Sequence, residues 1–303
     1  MIRIDGITKQ FDTVKSLDAV SLIVENGSIF GLIGSNGSGK STLLRILSGI
    51  YRQDEGDVTI DGEKVWENTA VKGRLVYLSD DPYFLPGGTP IDMMKLYKSV
   101  YPSFDEKGYR AALETFGLDE KRKLSTFSKG MQKQVSFLLG LYAKADVLLC
   151  DETLDGLDAV MRMKVRQMVA SEVADRGMTV IFASHNLKEI EDICDHVALL
   201  HKGQLIMEAM LDDMKLSIHK VQLSFPKDRA EEVTEKLKAL APVTLEVRGS
   251  LYTLVVRGDE KELAEKLSAM EPVFMEFIPL TLEEIFVSEM EERGYDFHEE
   301  VLG

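Results

Sequence analysis

One short stretch restricts the fold of this chain more than any other. The segment GLIGSNGSGKSTLL matches the spacing G-x-x-x-x-G-K-[ST], at Gly34, Gly39, Lys40 and Ser41. It follows an apolar run typical of a strand and opens a helical pattern, which is the context that a phosphate-binding loop requires. Glycines allow backbone N–H groups to turn inward around phosphate oxygens, and the helix N-terminus adds positive charge. The stretch therefore predicts a nucleotide site at the end of a buried strand.

Two residues of this loop have specific predicted roles. Lys40 should reach the β- and γ-phosphates, and the Ser41 hydroxyl should ligate Mg²⁺. A chance match in a glycine-rich turn is the alternative, and the flanking strand and helix make it the weaker interpretation. The loop residues predicted to contact the nucleotide are Gly34, Ser35, Asn36, Gly37, Ser38, Gly39, Lys40, Ser41 and Thr42.

Length and charge exclude several classes of protein. The 303 residues suffice for one large domain or two modest ones. The net charge of −15 argues against nucleic acid as a partner, because phosphate contacts require a basic surface. The sequence has no apolar run near 18 residues and no secretory signal pattern, so we expect no membrane span and no signal peptide. The two cysteines lie in apolar runs and are predicted to be buried thiols.

The pattern up to about residue 215 predicts an α/β domain. The runs SIFGLIG, DVLLCDE and TVIFAS have nearly continuous apolar cores, as in parallel strands covered on both faces. Helical patterns such as KSTLLRILSGI and MQKQVSFLLGLYAK lie between the apolar runs. This alternation predicts a first domain over residues 1–215.

The pattern changes after residue 215. Strand-like and helix-like segments follow in the order β-α-β-β-α-β, with Gly249 and Ser250 between the two central strands. This order predicts a ferredoxin-like α+β domain over residues 216–303. Dimer contact, regulation or simple stabilisation remain open as its role.

Two acids and a histidine follow the apolar strands. Asp151 and Glu152 end the run VLLCDE, and His185 follows TVIFAS. An acid at such a strand end can hold Mg²⁺, and a second can orient or deprotonate the attacking water. We therefore predict that Asp151 binds the metal and that Glu152 is the catalytic carboxylate. A neutral imidazole at His185 can donate a hydrogen bond to a phosphate oxygen.

Together these motifs resemble the ATP-binding subunit of an ABC transporter. GSNGSGKST is similar to its Walker A motif, VLLCDE to Walker B, FSKGMQ to the signature motif, and LDGLD to the D-loop. The histidine of SHN is similar to the switch histidine, and Phe11 lies where the family places an aromatic against adenine. The SKGM form of the signature and the additional C-terminal domain resemble bacterial export systems for drugs, peptides or lipids.

The resemblance implies partners and a location. Two ATP-binding subunits of this family face each other head to tail, and each ATP lies between the Walker A motif of one and the signature of the other. Ser128 and Gly130 would then contact the γ-phosphate held by a partner chain. A separate transmembrane permease, peripheral location on the cytoplasmic face of the membrane, homodimerisation, and the cofactors ATP and Mg²⁺ are all implied.

The main departure from the family pattern is Asp80. It stands where the family has the glutamine of the Q-loop, after the strand-like run RLVYL. Its carboxylate can still bind Mg²⁺ through oxygen, so Asp80 is a third candidate metal ligand. After it, PYFLPGGTPIDMMKLY predicts a docking segment for the permease, since Met and aromatic residues are enriched at interfaces. Packing within the helical subdomain is the alternative for individual residues of the segment.

The sequence thus predicts an α/β P-loop ATPase domain of the ABC type with a helical subdomain, followed by the ferredoxin-like domain. The predicted function is ATP hydrolysis that powers export through a separate membrane subunit. Two alternatives remain. One is a soluble ABC-type ATPase acting in translation or DNA repair, and the other is a weakly hydrolysing regulatory module, which Asp80 suggests.

Overall fold

Helices separate the buried strands between Ile29 and His201, as the apolar pattern predicts. The computed structural model describes residues 1–292. In chain order the elements up to Met210 are β1 (Ile2–Phe11), β2 (Val14–Val24), β3 (Ile29–Ile33), α1 (Lys40–Leu47), β4 (Glu55–Ile60), β5 (Glu63–Lys64), α2 (Thr69–Lys72), β6 (Leu75–Leu78), α3 (Pro90–Val100), α4 (Glu106–Thr115), α5 (Lys129–Tyr142), β7 (Val147–Asp151), α6 (Ala159–Arg176), β8 (Thr179–Ser184), α7 (Leu187–Ile193), β9 (His196–His201) and β10 (Gln204–Met210).

A six-stranded sheet lies at the centre of the first unit. Its strand order is β10-β9-β3-β8-β7-β6, and β3, β8, β7 and β6 pair in parallel. Every residue of β3, β7 and β8 is buried, as expected for strands covered on both faces. Since β8 lies between β3 and β7, the carboxyl ends of these three strands meet at one edge of the sheet.

A smaller antiparallel sheet has the order β2-β1-β4-β5. Its inward-facing residues alternate along β1, where Ile2, Ile4 and Ile7 are buried. They share one hydrophobic core with Leu43 and Leu47 of α1. A small antiparallel β region is thus attached to the α/β domain.

The helical segment begins at α3, and the residues at the start of α3 favour a helix. Thr89 and Asp92 form a capping box at the start of α3, with Pro90 in the first helical position. Met93 and Met94 are buried at 3% and 2% exposure, so for these two the packing alternative holds. Tyr83 and Leu85 instead remain exposed, at 76% and 39%.

A second unit begins at Ala209. Its elements are α8 (Leu211–Ser217), β11 (Ile218–Ser224), α9 (Ala230–Lys238), β12 (Thr244–Arg248), β13 (Leu251–Arg257), α10 (Glu260–Ser268), β14 (Phe274–Ile278) and α11 (Leu282–Glu292). The strands form an antiparallel sheet in the order β12-β13-β11-β14. Two i, i+4 pairs, Val233 with Leu237 and Leu263 with Leu267, bury one face of α9 and α10 in its core.

The chain divides between Glu208 and Ala209, while the sequence places the change of domain after residue 215. Between residues 1 and 292, no helix combines the length and the apolar character needed to cross a membrane.

Gly31, in the middle of β3, lies where no side chain fits. A Cβ there would lie 2.4 Å from Ile190 Cγ2 and 3.2 Å from Cys194 Sγ. We expect Gly31→Ala to lower the free energy of unfolding by about 1–3 kcal/mol, because overpacking a dense core forces side chains from their preferred rotamers. Denaturant unfolding followed by circular dichroism measures the change.

Gly73→Ala is the matched control. Gly73 follows α2 with a φ of −68°, and an added Cβ would come no closer than 3.4 Å to the atoms around it. This variant should keep or slightly raise the wild-type stability. Equal losses in the two variants would contradict the packing argument.

Candidate active site

The phosphate loop leaves β3 at Ile33 and enters α1 at Lys40. Gly39 caps the helix with a φ of 107°, a conformation that only glycine adopts readily. A Cβ on Gly34 would lie 2.3 Å from Leu200 O, and one on Gly39 would lie 2.6 Å from Ser16 O. The two motif glycines are therefore required because the loop lies against neighbouring backbone.

A cleft of about 290 Å³ opens above this loop. It is lined by Ser16, Asn36, Gly37, Ser38, Gly39, Lys40, Ser41, Thr42, Arg45, Asp80, Asp151 and Glu152. The structure thus brings most of the phosphate loop together with the three predicted acids. This follows from the parallel pairing, since β3 and β7 are separated only by β8.

Lys40 is buried in the cleft, with 5% of its surface exposed. Its ammonium group donates to Gly34 O at 2.6 Å and to Ser35 O at 3.1 Å, and lies 3.4 Å from Glu152 Oε1. Burial lowers the pKa of Lys40, while the carboxylates of Glu152 and Asp151 act in the opposite direction. The result is a desolvated cation at the position where the motif places the phosphates.

Asp151 ends β7 and is only 1% exposed. Ser41 Oγ donates to its Oδ1 at 2.8 Å, and the Tyr77 hydroxyl donates to its Oδ2 at 2.8 Å. Arg45 Nε donates in turn to the Tyr77 oxygen at 3.3 Å. Both oxygens of the Asp151 carboxylate thus accept a hydrogen bond. Burial, together with the charge of Asp151, raises the pKa of Tyr77 to about 12, so the Tyr77 hydroxyl keeps its proton at neutral pH.

Glu152 lies just past the strand end in a left-handed backbone conformation, with a φ of 50°. Such a conformation costs a non-glycine residue on the order of 1 kcal/mol and is common at functional sites. Its Oε2 lies 3.0 Å from Nδ1 of His185, which follows β8. The carboxylate therefore lies between the Lys40 ammonium and a half-exposed imidazole.

The oxygen groups in the cleft suit Mg²⁺. A hydroxyl from Ser41 and carboxylates from Asp151 and Asp80 are the hard ligands that this ion prefers. Among residues 1–292 no cluster of three or more acidic, histidine or cysteine side chains could hold a metal unaided. The Ser38 hydroxyl, buried and without a hydrogen-bond partner in this part of the chain, offers a further polar contact at the loop.

The remaining predicted residues lie outside this cleft. Phe11 ends β1 at 40% exposure and contacts Tyr51 edge to face, with 5.4 Å between ring centroids. Ser128 caps α5, where its hydroxyl accepts from Met131 N at 3.2 Å, and its surface is exposed. Gly130 follows it and is half-buried. Neither signature residue lines the cleft of its own chain.

Sequence reasoning missed Tyr77, Arg45 and Lys133. Arg45 lies four residues after Ser41, so it shares a face of α1 with the predicted metal ligand, and this spacing was the available signal. Tyr77 depends on the pairing of β6 with β7, which the sequence does not specify. Lys133 contacts both Asp80 and Glu152.

Comparison with known proteins agrees with these motifs. The family model described as ABC transporter matches residues 17–155. The ABC transporter ATP-binding protein YtrB of Bacillus subtilis is 31% identical, covering 95% of this chain and 97% of its own. The chain belongs to the ABC transporter ATP-binding proteins. It is therefore a member of an ATP-hydrolysing family of transporter subunits.

Other members of the family show similar identity. An uncharacterized ABC transporter ATP-binding protein of Synechocystis is 30% identical, covering 93% of this chain and 80% of its own. The bacitracin transport ATP-binding protein BcrA of Bacillus licheniformis is 29% identical, covering 71% of each chain.

Solved structures of ABC ATP-binding cassettes share the fold. An ATP-binding subunit of an ABC transporter aligns with a TM-score of 0.65 at 23% identity, covering 71% of this chain and 92% of that one. The cassette MJ0796, in a dimeric post-hydrolysis state with ADP and Pi, aligns with a TM-score of 0.63 at 21% identity, covering 70% and 99%.

The Tyr77 hydroxyl can be tested by removing a single oxygen atom. We expect Tyr77→Phe to lower the free energy of unfolding by about 1.5–3 kcal/mol, because Asp151 then stays buried without one charge-assisted hydrogen bond. Denaturant unfolding measures the loss. Tyr83→Phe removes the same atom from an exposed ring and should change nothing. Wild-type stability in Tyr77→Phe would show that this donor is dispensable.

Proposed function

We propose that this ABC ATP-binding protein hydrolyses ATP, with Mg²⁺, to power export through a separate transmembrane subunit. The observation that carries the proposal is the position of Glu152, between the Lys40 ammonium and the His185 imidazole at the edge of the cleft. A carboxylate held by two such groups, beside a phosphate loop, is equipped to orient or deprotonate the attacking water.

Each group of the cleft then has a role. Lys40 and the loop N–H groups bind the phosphates of ATP, and Phe11 stacks on the adenine. Asp151 and Ser41 would hold Mg²⁺, with Asp80 as a third oxygen donor in the same cleft. When bound, the ion offsets phosphate charge as a Lewis acid. Glu152 holds the water, and the half-exposed His185 donates a hydrogen bond to the γ-phosphate.

We further propose a head-to-tail homodimer with two equivalent sites. Ser128 is exposed, caps α5 and lies outside the cleft of its own chain, which supports a contact in a second copy. The N-terminus of α5 would favour the charge of the γ-phosphate. Gly130 leaves room for the phosphate to approach.

The remaining partners follow from the family. BcrA is named for bacitracin transport, which supports a transported drug, peptide or lipid, a transmembrane permease as partner, and a peripheral location of this chain on the cytoplasmic face of the membrane. The net charge of −15 supports the absence of nucleic acid from the list of partners.

We propose that the predicted domain over residues 216–303, which the structure describes as far as residue 292, is ferredoxin-like and distinct from an ATP-binding domain over residues 1–215. The antiparallel order β12-β13-β11-β14, with two helices packed on one face, supports this assignment. A core of its own supports a role separable from ATP binding, in dimer contact or regulation.

Replacing the catalytic carboxylate tests the mechanism. Glu152→Gln should lower steady-state ATP turnover by about 10²–10⁴-fold, because the positioned base is lost. ATP should still bind, and size-exclusion chromatography with light scattering should show a dimer that forms only with ATP. Adding Ser128→Arg should abolish that dimer without abolishing ATP binding.

Glu114→Gln, at an exposed acid of α4, is the control and should retain normal turnover. Wild-type turnover in Glu152→Gln would remove Glu152 from the mechanism. A dimer that survives Ser128→Arg would contradict the shared site.

The exposed pair Tyr83 and Leu85 tests the docking segment. Their burial in a permease contact would stabilise the complex, so changing both to Ser should abolish co-purification with the membrane subunit while ATP still binds. Ile23→Ser, an exposed apolar residue of β2, is the control and should assemble normally. Normal assembly of the double variant would place the contact elsewhere.

A further inference from the structure

One lysine connects the signature helix to two acids of the cleft. Lys133 lies on α5, five residues after Ser128, and its side chain is 13% exposed. Its ammonium group donates to Asp80 Oδ1 at 2.8 Å and to the backbone oxygen of Glu152 at 2.9 Å. Lys133 lies just after the FSKGMQ motif and belongs to none of the motifs of the cleft.

The hydrogen bond from Lys133 to the Glu152 carbonyl holds a residue with a strained backbone conformation. Glu152 has a φ of 50°, and its N–H donates to Ala183 O at 2.9 Å. With Lys133 on its carbonyl, both backbone groups of the residue are held. This fixes the direction in which the Glu152 carboxylate leaves the backbone, and a displaced base loses much of its rate advantage.

The hydrogen bond from Lys133 to Asp80 offsets a negative charge in the cleft. The cleft proposed to bind a polyphosphate is lined by three acids and two bases. The acids are Asp80, Asp151 and Glu152, and the bases are Lys40 and Arg45. An unpaired carboxylate at Asp80 would repel the phosphates, and the paired Lys133 offsets that repulsion. Asp80 is 62% exposed, so the effect is moderated by solvent.

We propose that Lys133 is a positioning residue for ATP hydrolysis, which fixes the backbone of Glu152 and neutralises Asp80 so that the cleft accepts the nucleotide. The proposal rests on the proposed function of the cleft. The two contacts predict separable effects, since one acts on the rate and the other on binding.

The experiment compares Lys133→Met, Lys133→Arg and the double variant Asp80→Asn with Lys133→Met. Binding is measured with ATP and ADP in EDTA, so that the metal does not contribute, and turnover is measured with MgATP. Lys133→Met should weaken ATP binding roughly fivefold, which corresponds to the largest free energies found for ion pairs with an exposed partner. It should weaken ADP binding less, because ADP carries less negative charge. Its kcat should fall roughly 10- to 100-fold.

The double variant should regain ATP affinity to within about twofold of wild type, because the unpaired carboxylate is gone. Its kcat should stay low, because Glu152 O still lacks its donor and Asp80, the proposed third oxygen donor to Mg²⁺, is also replaced. The effect on the rate is therefore measured in Lys133→Met, which keeps Asp80. Lys133→Arg keeps the charge and should retain wild-type ATP affinity. Lys98→Met removes a lysine from a surface ion pair with Glu106 on α4 and should leave both constants unchanged.

Two results would overturn the proposal. One is wild-type kcat and ATP affinity in a folded Lys133→Met protein. The other is a double variant that binds ATP no better than Lys133→Met, which would indicate general disruption instead of charge. Failure of the proposed function is distinguishable, since it appears as unaltered turnover in Glu152→Gln or as absent turnover in the wild type.

Discussion

Parallel pairing of β3, β8 and β7 is the constraint on which the rest of the site depends. Each strand is buried throughout, and each ends in a polar turn at the same edge of the sheet. The middle residues of these buried strands are apolar, so the polar and charged groups of the site collect at the strand ends. The register of β7 and β8 then fixes how far Asp151 and Glu152 lie from His185, because Asp151 pairs with Ala183, two residues before His185. Core packing and site geometry are therefore two consequences of one pairing.

Local patterns in the sequence were sufficient for the groups that begin or end an element. The phosphate loop, Asp151, Glu152 and His185 lie at strand ends, and Ser128 caps a helix, so the sequence predicts their position without a tertiary model. Contacts between distant segments were not predictable in this way. The Asp80–Lys133 pair joins positions 53 residues apart, and nothing local selects the partner.

The docking segment shows a similar limit at short range. Its Met and aromatic residues suggest an interface, yet Met93 and Met94 pack inward while Tyr83 stays exposed. Composition indicates that the segment is apolar, but exposure depends on position: the two methionines lie on α3, whereas Tyr83 lies in the loop before it. The first unit ends at Glu208, within β10. The pattern of apolar and polar residues does not change at that point, so the sequence alone does not indicate the boundary.

The hydrogen bonds of Lys40 bear on how quickly the protein completes a cycle. Because its ammonium group already donates to Gly34 O and Ser35 O, an arriving phosphate exchanges one set of partners for another. The net gain is therefore smaller than a bare buried cation would provide. The same carbonyls receive Lys40 again when the products leave, which lowers the cost of their departure. In the proposed reaction cycle this exchange would favour rapid release over tight binding, and release limits turnover in many enzymes.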